Sequence, residues 1–570
     1  MKPRIDLSGF RRSMTALPSI VAVAAAALLA TAANAQATRA PAAETVVAEA
    51  AEALGGADRL KAVRNISLAG YGQWAWLMGA EEISASPHAP QKLQAANDLR
   101  RVYDLEHDRF QASERAFLQF PFLATSAYEF PLKDQRLDGD IAWNAADGNV
   151  FAPPGAPVRP RRIASYTGGA GGADGVHMRR MWMMNNPVVM VRAMMDPATT
   201  LAAPRVEDGK YVVVDVHLKQ GDNFSAGFFA PSRYCQALCM GLPAFIRWAA
   251  PNPNLGQVEH TTWLTGYAAI DGLMLPLGFD TRLDWRDTDW FRLFVDHYEI
   301  NGQIPDLAAP PAVANAPEPP TNPVTPVKAV KVADHIWRLT PSGTNVVEFQ
   351  DHITLFELDT SSPAQAKAII EFARTLAPGK PVTQLIASHE HFDHVSGLRQ
   401  AVAEGLTIIS KRANAEYFDE MVAHPAPEFP DDLARNPKPM RFIPVDEKLV
   451  LKDPTMELQV LWARNNIHMA DAVVAYAPAQ KTIIEGDVAT ASNAFQMWPD
   501  NLRDIIDYYK LDVAQLSPVH GIVPGHDGAL TMQEVDDLLK GGTERARKLC
   551  ADHLAKGYYL TGCPVWSKRY

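Results

Sequence analysis

Residues 388–394 read Ser388-His389-Glu390-His391-Phe392-Asp393-His394. An apolar run at 382–387 with the character of a buried strand leads into them, and a helix begins after Val395-Ser396-Gly397-Leu398. Four side chains able to ligate a metal, His389, His391, Asp393 and His394, fall within six residues. A solvated polar turn does not call for such a density. On a helix, positions i and i+2 point apart, so His389 and His391 can converge only from a strand end or a turn. Asp393 and His394, being adjacent, are expected to diverge, which suits a second ion beside the first.

Working outward, segments 335–339, 345–349 and 353–358 read as a strand meander and 364–376 has helical spacing, so this half alternates strands and helices. Three more candidates follow stretches that read as strands: His468 after the apolar 458–463, Asp487 after 481–486 and His520 after 513–519. Each sits just past a strand, so all seven should gather at one sheet edge, where α/β proteins build their sites. Singly, each is ambiguous: His468 as a surface histidine, Asp487 as a turn residue after Gly486, His520 as a partner of His526.

Together these stretches resemble the metallo-β-lactamase-fold metallohydrolases. His389-Glu-His391-Phe-Asp393-His394 is similar to that family's His-x-His-x-Asp-His signature, Asn466-Ile467-His468 to its next histidine, Glu485-Gly486-Asp487 to its Gly-Asp, and Pro518-Val519-His520-Gly521 to its closing His-Gly. The likeness covers about residues 330–540. It implies an αββα sandwich and two divalent ions, one held by His389, His391 and His468, the other by Asp393, His394 and His520, with Asp487 bridging. Zinc is the expected metal, with iron or manganese also compatible with a thiolate-free donor set. Zinc β-lactamases usually place cysteine where Asp487 stands, and no cysteine lies between Cys239 and Cys550. The pattern is closer to the glyoxalase and lactonase branches.

The expected activity is hydrolysis of an ester, lactone, thioester or related carbonyl compound by metal-bound hydroxide, with Asp393 as catalytic residue orienting it and moving a proton. β-Lactam or phosphoester hydrolysis on the same site is the alternative. A lipid- or peptide-binding protein with a structural hydrolase domain is the reading from another class. The expected partner is a small-molecule substrate, and oligomeric state stays open.

Before this region, residues 304–328 are rich in proline and read as a linker of extended polyproline geometry. Segments 68–76, 211–218, 258–265, 273–283 and 290–300 mix β-branched and aromatic residues with polar ones, separated by turn signals such as Leu137-Asp138-Gly139-Asp140. A β-rich domain over 36–303, a curved antiparallel sheet or half-barrel, is expected, similar in pattern to periplasmic lipoprotein carriers. Seven methionines between Met178 and Met195 allow copper binding but fit helix faces packed on a sheet better. Gly168-Gly169-Ala170-Gly171-Gly172 has no following Lys-Ser or Lys-Thr and reads as a loop, not a phosphate cradle. The hydrolase domain is expected over 329–570.

Residues 1–35 read as an export signal. Arg4, Arg11 and Arg12 precede an Ala-rich run at 20–33 that ends in Ala33-Asn34-Ala35. The run is short and weakly apolar for a membrane anchor, so a periplasmic or secreted protein without a stable span is expected. Across 570 residues, 54 basic against 65 acidic side chains give a net charge of −11, which disfavours nucleic acid as partner. Four cysteines are too few for a disulfide scaffold. Cys235 with Cys239 and Cys550 with Cys563 are the pairs favoured by proximity, longer-range pairs remaining open.

Overall fold

The computed structural model describes residues 42–76, 82–118, 132–148, 158–166, 172–231, 239–360, 362–466, 468–488, 499–520 and 528–555. The expected export signal, Gly168, Gly169 and Gly171 of the glycine-rich loop, Cys235, Cys563 and His526 lie outside the described residues. Cys239 is disulfide-bonded. Among the described residues no helix is long and apolar enough to cross a membrane.

Residues 65–300 build one fourteen-stranded sheet in which sequence neighbours mostly pair as antiparallel neighbours. At its middle the first strand, Asn65–Ala75, pairs with the last, Asp289–Ile300, Ile66 lying opposite Ile300. Arg161–Arg162 and Thr200–Leu201 stand at the two ends of the strand path. Helices Val176–Met184 and Pro187–Met194 bury Met178, Met181, Met183, Met184, Met190 and Met194 in one cluster with sheet residues Leu68, Phe110 and Leu137. These thioethers fill the space between helix and sheet, as their helical spacing implied.

The proline-rich stretch departs from a purely extended spacer. It carries a helical turn, Pro311–Ala314, and buries Leu307 and Val313. Arg136 donates to Asp306 O at 3.1 Å and Arg162 to Ala316 O at 2.6 Å. The two apolar side chains gain burial by lying down on the sheet, which outweighs polyproline stiffness.

Beyond it, two mixed sheets face each other. The first has seven strands from Lys328–Ala333 to Arg441–Val445, antiparallel through Ile353–Phe356 and parallel from there through Val382–Ile386 and Thr407–Lys411. The second has six, from Lys448–Lys452 to Leu530–Thr531. Period-two alternation sorts each strand between layers. Leu385 and Ile408 point to helices Pro363–Leu376 and Leu398–Glu404, whereas Ile386 and Ile409 face Ala475 and Ile484 of the opposite sheet. Val474 and Ile483 in turn pack on Leu502 and Ile505 of helix Pro499–Tyr509. The order is helix, sheet, sheet, helix.

The two halves share a core. Trp285, in the turn between strands Leu273–Leu283 and Asp289–Ile300, lies 6.0 Å from the Phe392 ring and 5.3 Å from Tyr417. Arg286 pairs with Glu420 at 2.6 Å, and Gln257 Oε1 accepts hydrogen bonds from the main-chain N–H groups of Glu428 and Phe429.

Candidate metal centre

Strand ends carry every candidate ligand to one edge of the sandwich. Val382–Ile386 delivers the 388–394 turn, Glu457–Trp462 leads to His468, Thr482–Glu485 to Asp487 and Gln515–Pro518 to His520. Main-chain bonds then shape each loop. His394 N–H and Val395 N–H both donate to His391 O, at 2.9 and 3.1 Å. Asn466 Oδ1 accepts from His468 N–H and Met469 N–H at 2.8 and 3.1 Å. Arg338 crosses between the sheets and donates to Pro518 O and Val519 O at 2.7 and 2.8 Å, holding the residue before His520.

All seven residues come together. His389, His391, His468 and Asp487 offer ligand atoms within 4.8 Å of one another, and so do Asp393, His394 and His520. Asp487 sits between the groups: its carboxylate is 3.3 Å from His468 Nε2, 3.1 Å from His394 Nε2 and 3.3 Å from His520 Nε2. The divergence expected of Asp393 and His394 is not seen. Asp393 Oδ2 lies 3.6 Å from His394 Nε2, because the turn at 391–395 swings adjacent side chains to one side. The first group is fully buried, whereas the His520 and Asp393 side chains are 34% and 29% exposed, so the cluster opens on their side.

The donors are set for cations. His389 Nε2 is buried without a hydrogen-bond partner, while Nδ1 shares a hydrogen bond with Ser388 Oγ at 2.7 Å. His391 donates from Nε2 to Glu82 O at 2.8 Å, and His394 from Nδ1 to Glu357 Oε2 at 2.8 Å. Each donation leaves the other ring nitrogen with its lone pair for an ion. Burial, reinforced by neighbouring histidines, holds His389 and His391 well below the ordinary imidazole value, so they are neutral; burial also lowers His468.

Across Asp487 the balance reverses. Burial opposes charge on His394, but Glu357, Asp393 and Asp487 overcome it and raise the group well above its usual value. His520 is pushed up to about 10, burial being outweighed by Asp487 and Asp393. Burial likewise opposes ionisation of Asp393 and Asp487, yet His394 and His520 pull both below the usual carboxylate range. These carboxylates demand positive charge, supplied by imidazole protons or by ions that displace them.

Glu357 and Asp359 escape the strand-end reading, because the apolar run at 353–358 conceals that its strand, Ile353–Phe356, ends one residue before Glu357. Asp359 is pushed up to about 7, chiefly by burial. Glu357 fills space beside the ligands so closely that a Cβ on Gly486 would lie 1.9 Å from its Oε1. Glu82 O carries no sequence signal at all, since a carbonyl is available from any residue.

A family model described as metallo-beta-lactamase superfamily matches residues 358–526. No curated protein matches the chain by sequence. Among solved structures, a metallo-beta-lactamase from Pontibacter korlensis is 16% identical at a TM-score of 0.28, covering 38% of this chain and 98% of that one. One from Hirschia baltica is 14% identical, TM-score 0.28, with coverage of 38% and 98%. The Flv1 flavodiiron core from Synechocystis sp. PCC6803 is 11% identical, TM-score 0.30, with coverage of 40% and 62%. The carboxy-terminal region of the chain, matched over 358–526, is a metallo-beta-lactamase superfamily hydrolase domain with a buried His/Asp cluster, and the amino-terminal sheet lies outside the match.

Proposed function

We propose that this chain is an exported dinuclear metal hydrolase, using zinc, that opens an ester, lactone, thioester or related carbonyl substrate. The observation that carries the reading is Asp487 standing between two groups of ligands from four loops. His389, His391 and His468 would hold one ion, Asp393, His394 and His520 the other, with Asp487 shared. Bound there, the ions would supply Lewis acidity and a water whose pKa falls to about 7 for zinc.

The chain's own groups do the rest. Glu82 O and Glu357 fix the ring orientations of His391 and His394. Asp393, at the open side, has a buried Oδ1 without a hydrogen-bond partner; it orients the attacking water, takes its proton and delivers it to the leaving oxygen or sulfur. A carboxylate in place of a thiolate at position 487 favours these substrates over β-lactams. Export rests on the signal-like residues 1–35.

Elemental analysis with a panel of ester, lactone, thioester and β-lactam substrates, each with and without chelator, tests the reading. About two metals per chain and chelator-sensitive hydrolysis are expected, with hydrolysis abolished by His391→Ala in a folded protein. Full activity in that variant, or activity indifferent to chelation, refutes it.

A further inference from the structure

We propose that the amino-terminal domain is a working part of the metal centre: the 82–85 segment and Asn254 hold the 389–394 turn in its ligating geometry, which makes Asn254 and Arg286 positioning residues. The inference rests on the metal reading above and adds a role for the half of the chain outside the family match.

The 82–85 segment clips two ligand loops at once. Glu82 O takes the Nε2 proton of His391 at 2.8 Å, and the neighbouring Ile83 O accepts from Ala470 N–H, two residues beyond His468, at 2.7 Å. The first bond decides the His391 tautomer and presents Nδ1 to the ion. Arg286 anchors the segment, donating from Nη1 to Ala85 O at 3.0 Å and from Nε to Glu420 Oε2 at 2.6 Å. Its guanidinium lies 4.4 Å from the centre of the Tyr417 ring. The amino-terminal domain thereby reaches the histidines through a main-chain carbonyl on a segment that Arg286 helps to anchor.

Asn254 acts on the same turn from a different strand connection. It is fully buried, in a turn where Asn252 Oδ1 accepts from the main-chain N–H groups of Asn254 and Leu255 at 2.9 and 3.0 Å. From there Nδ2 donates to Phe392 O at 2.8 Å. Phe392 stands between His391 and Asp393, and fixing its carbonyl fixes the peptide that aims Asp393. Gln257, nearby in the same domain interface, bonds instead to Glu428 and Phe429, away from the ligand turn.

Groups that hold metal ligands typically contribute 10- to 100-fold in affinity. Full-length Asn254→Ala, Arg286→Ala and Gln257→Ala proteins, stripped of metal, are to be titrated with Zn²⁺ against a chromophoric chelator and with Co²⁺ by its visible absorption. The first two are expected to bind zinc about 10- to 100-fold more weakly, with altered cobalt bands. Gln257→Ala lowers the melting temperature alone. Should Asn254→Ala misfold, the near-isosteric Asn254→Asp, which sets a carboxylate against Phe392 O, serves in its place. Wild-type zinc affinity and cobalt bands in folded Asn254 and Arg286 variants overturn the proposal, as does an equal loss in Gln257→Ala. Failure of the unsubstituted protein to bind two ions would instead sink the metal reading itself.

Discussion

Gly486→Ala places a single methyl group where the centre has no space. The added Cβ would lie 1.9 Å from Glu357 Oε1, 2.8 Å from its Cδ and 3.0 Å from Ser388 Oγ. To reach even a tight contact, the Glu357 oxygen has to retreat by about 1 Å, which pulls its carboxylate off His394 Nδ1, now 2.8 Å from Oε2. Ser388 Oγ, which bonds His389 Nδ1, is crowded by the same methyl. Overpacking of this kind costs about 1–3 kcal/mol, and loss of a hydrogen bond to a charged group about 1.5–3 kcal/mol. The expectation is a loss of about 2.5–6 kcal/mol in stability together with about 10- to 100-fold weaker zinc binding. Calorimetric melting and chelator competition on the same preparation read the two effects. Gly379→Ala is the control, because a Cβ there meets nothing within 4 Å and only the positive φ of +88° is strained. It should cost about 1–2 kcal/mol and leave zinc affinity alone. A Gly486→Ala protein that melts with the parent and keeps its zinc affinity within about twofold would show that Glu357 does not hold His394 in place.

Arg338→Ala removes the donors to two buried carbonyls, Pro518 O and Val519 O, at a cost of about 1–3 kcal/mol each. Since His520 follows directly, elemental analysis should find the chain holding one tight metal in place of two; two tight ions at an unchanged melting temperature contradict the assignment. His260, stacked 4.1 Å from Trp248 and buried, is pushed down to about 3 by desolvation. Its folded-state value lies below the unfolded one of about 6.5, so the stability it contributes is present above that pH and drains away as pH falls from about 6.5 toward 3. The full swing is about 5 kcal/mol. His260→Phe should flatten this acid limb in melts between about pH 6.5 and 4, and an unchanged slope disproves the assignment.

The candidate cluster was legible because its chemistry is local in sequence. The 388–394 stretch announces itself by density, and His468, Asp487 and His520 each follow a strand-like stretch that ends at the same edge. The period of the apolar pattern also disclosed an antiparallel sheet followed by mixed strands and helices, and the role of the methionines in Val176–Met184 and Pro187–Met194 as filling. Less was legible of the sheet at 65–300, whose central pairing of Asn65–Ala75 with Asp289–Ile300 joins residues more than 200 positions apart. Nothing in either strand names the other.

The sequence alone, then, determined the kinds of donor atom and the strand ends that carry them, since imidazoles, carboxylates and hydrophobic periodicity are properties of residues in order. Tertiary structure decided which ring nitrogens of His389, His391 and His394 are taken by neighbours and which partner takes each. Those choices turn on Glu82 O, Glu357 and Ser388, while Arg338 fixes the carbonyls just before His520. They are settled by where distant main-chain carbonyls and buried carboxylates come to rest, and a carbonyl looks alike at every position of a chain until the fold gives it a neighbour.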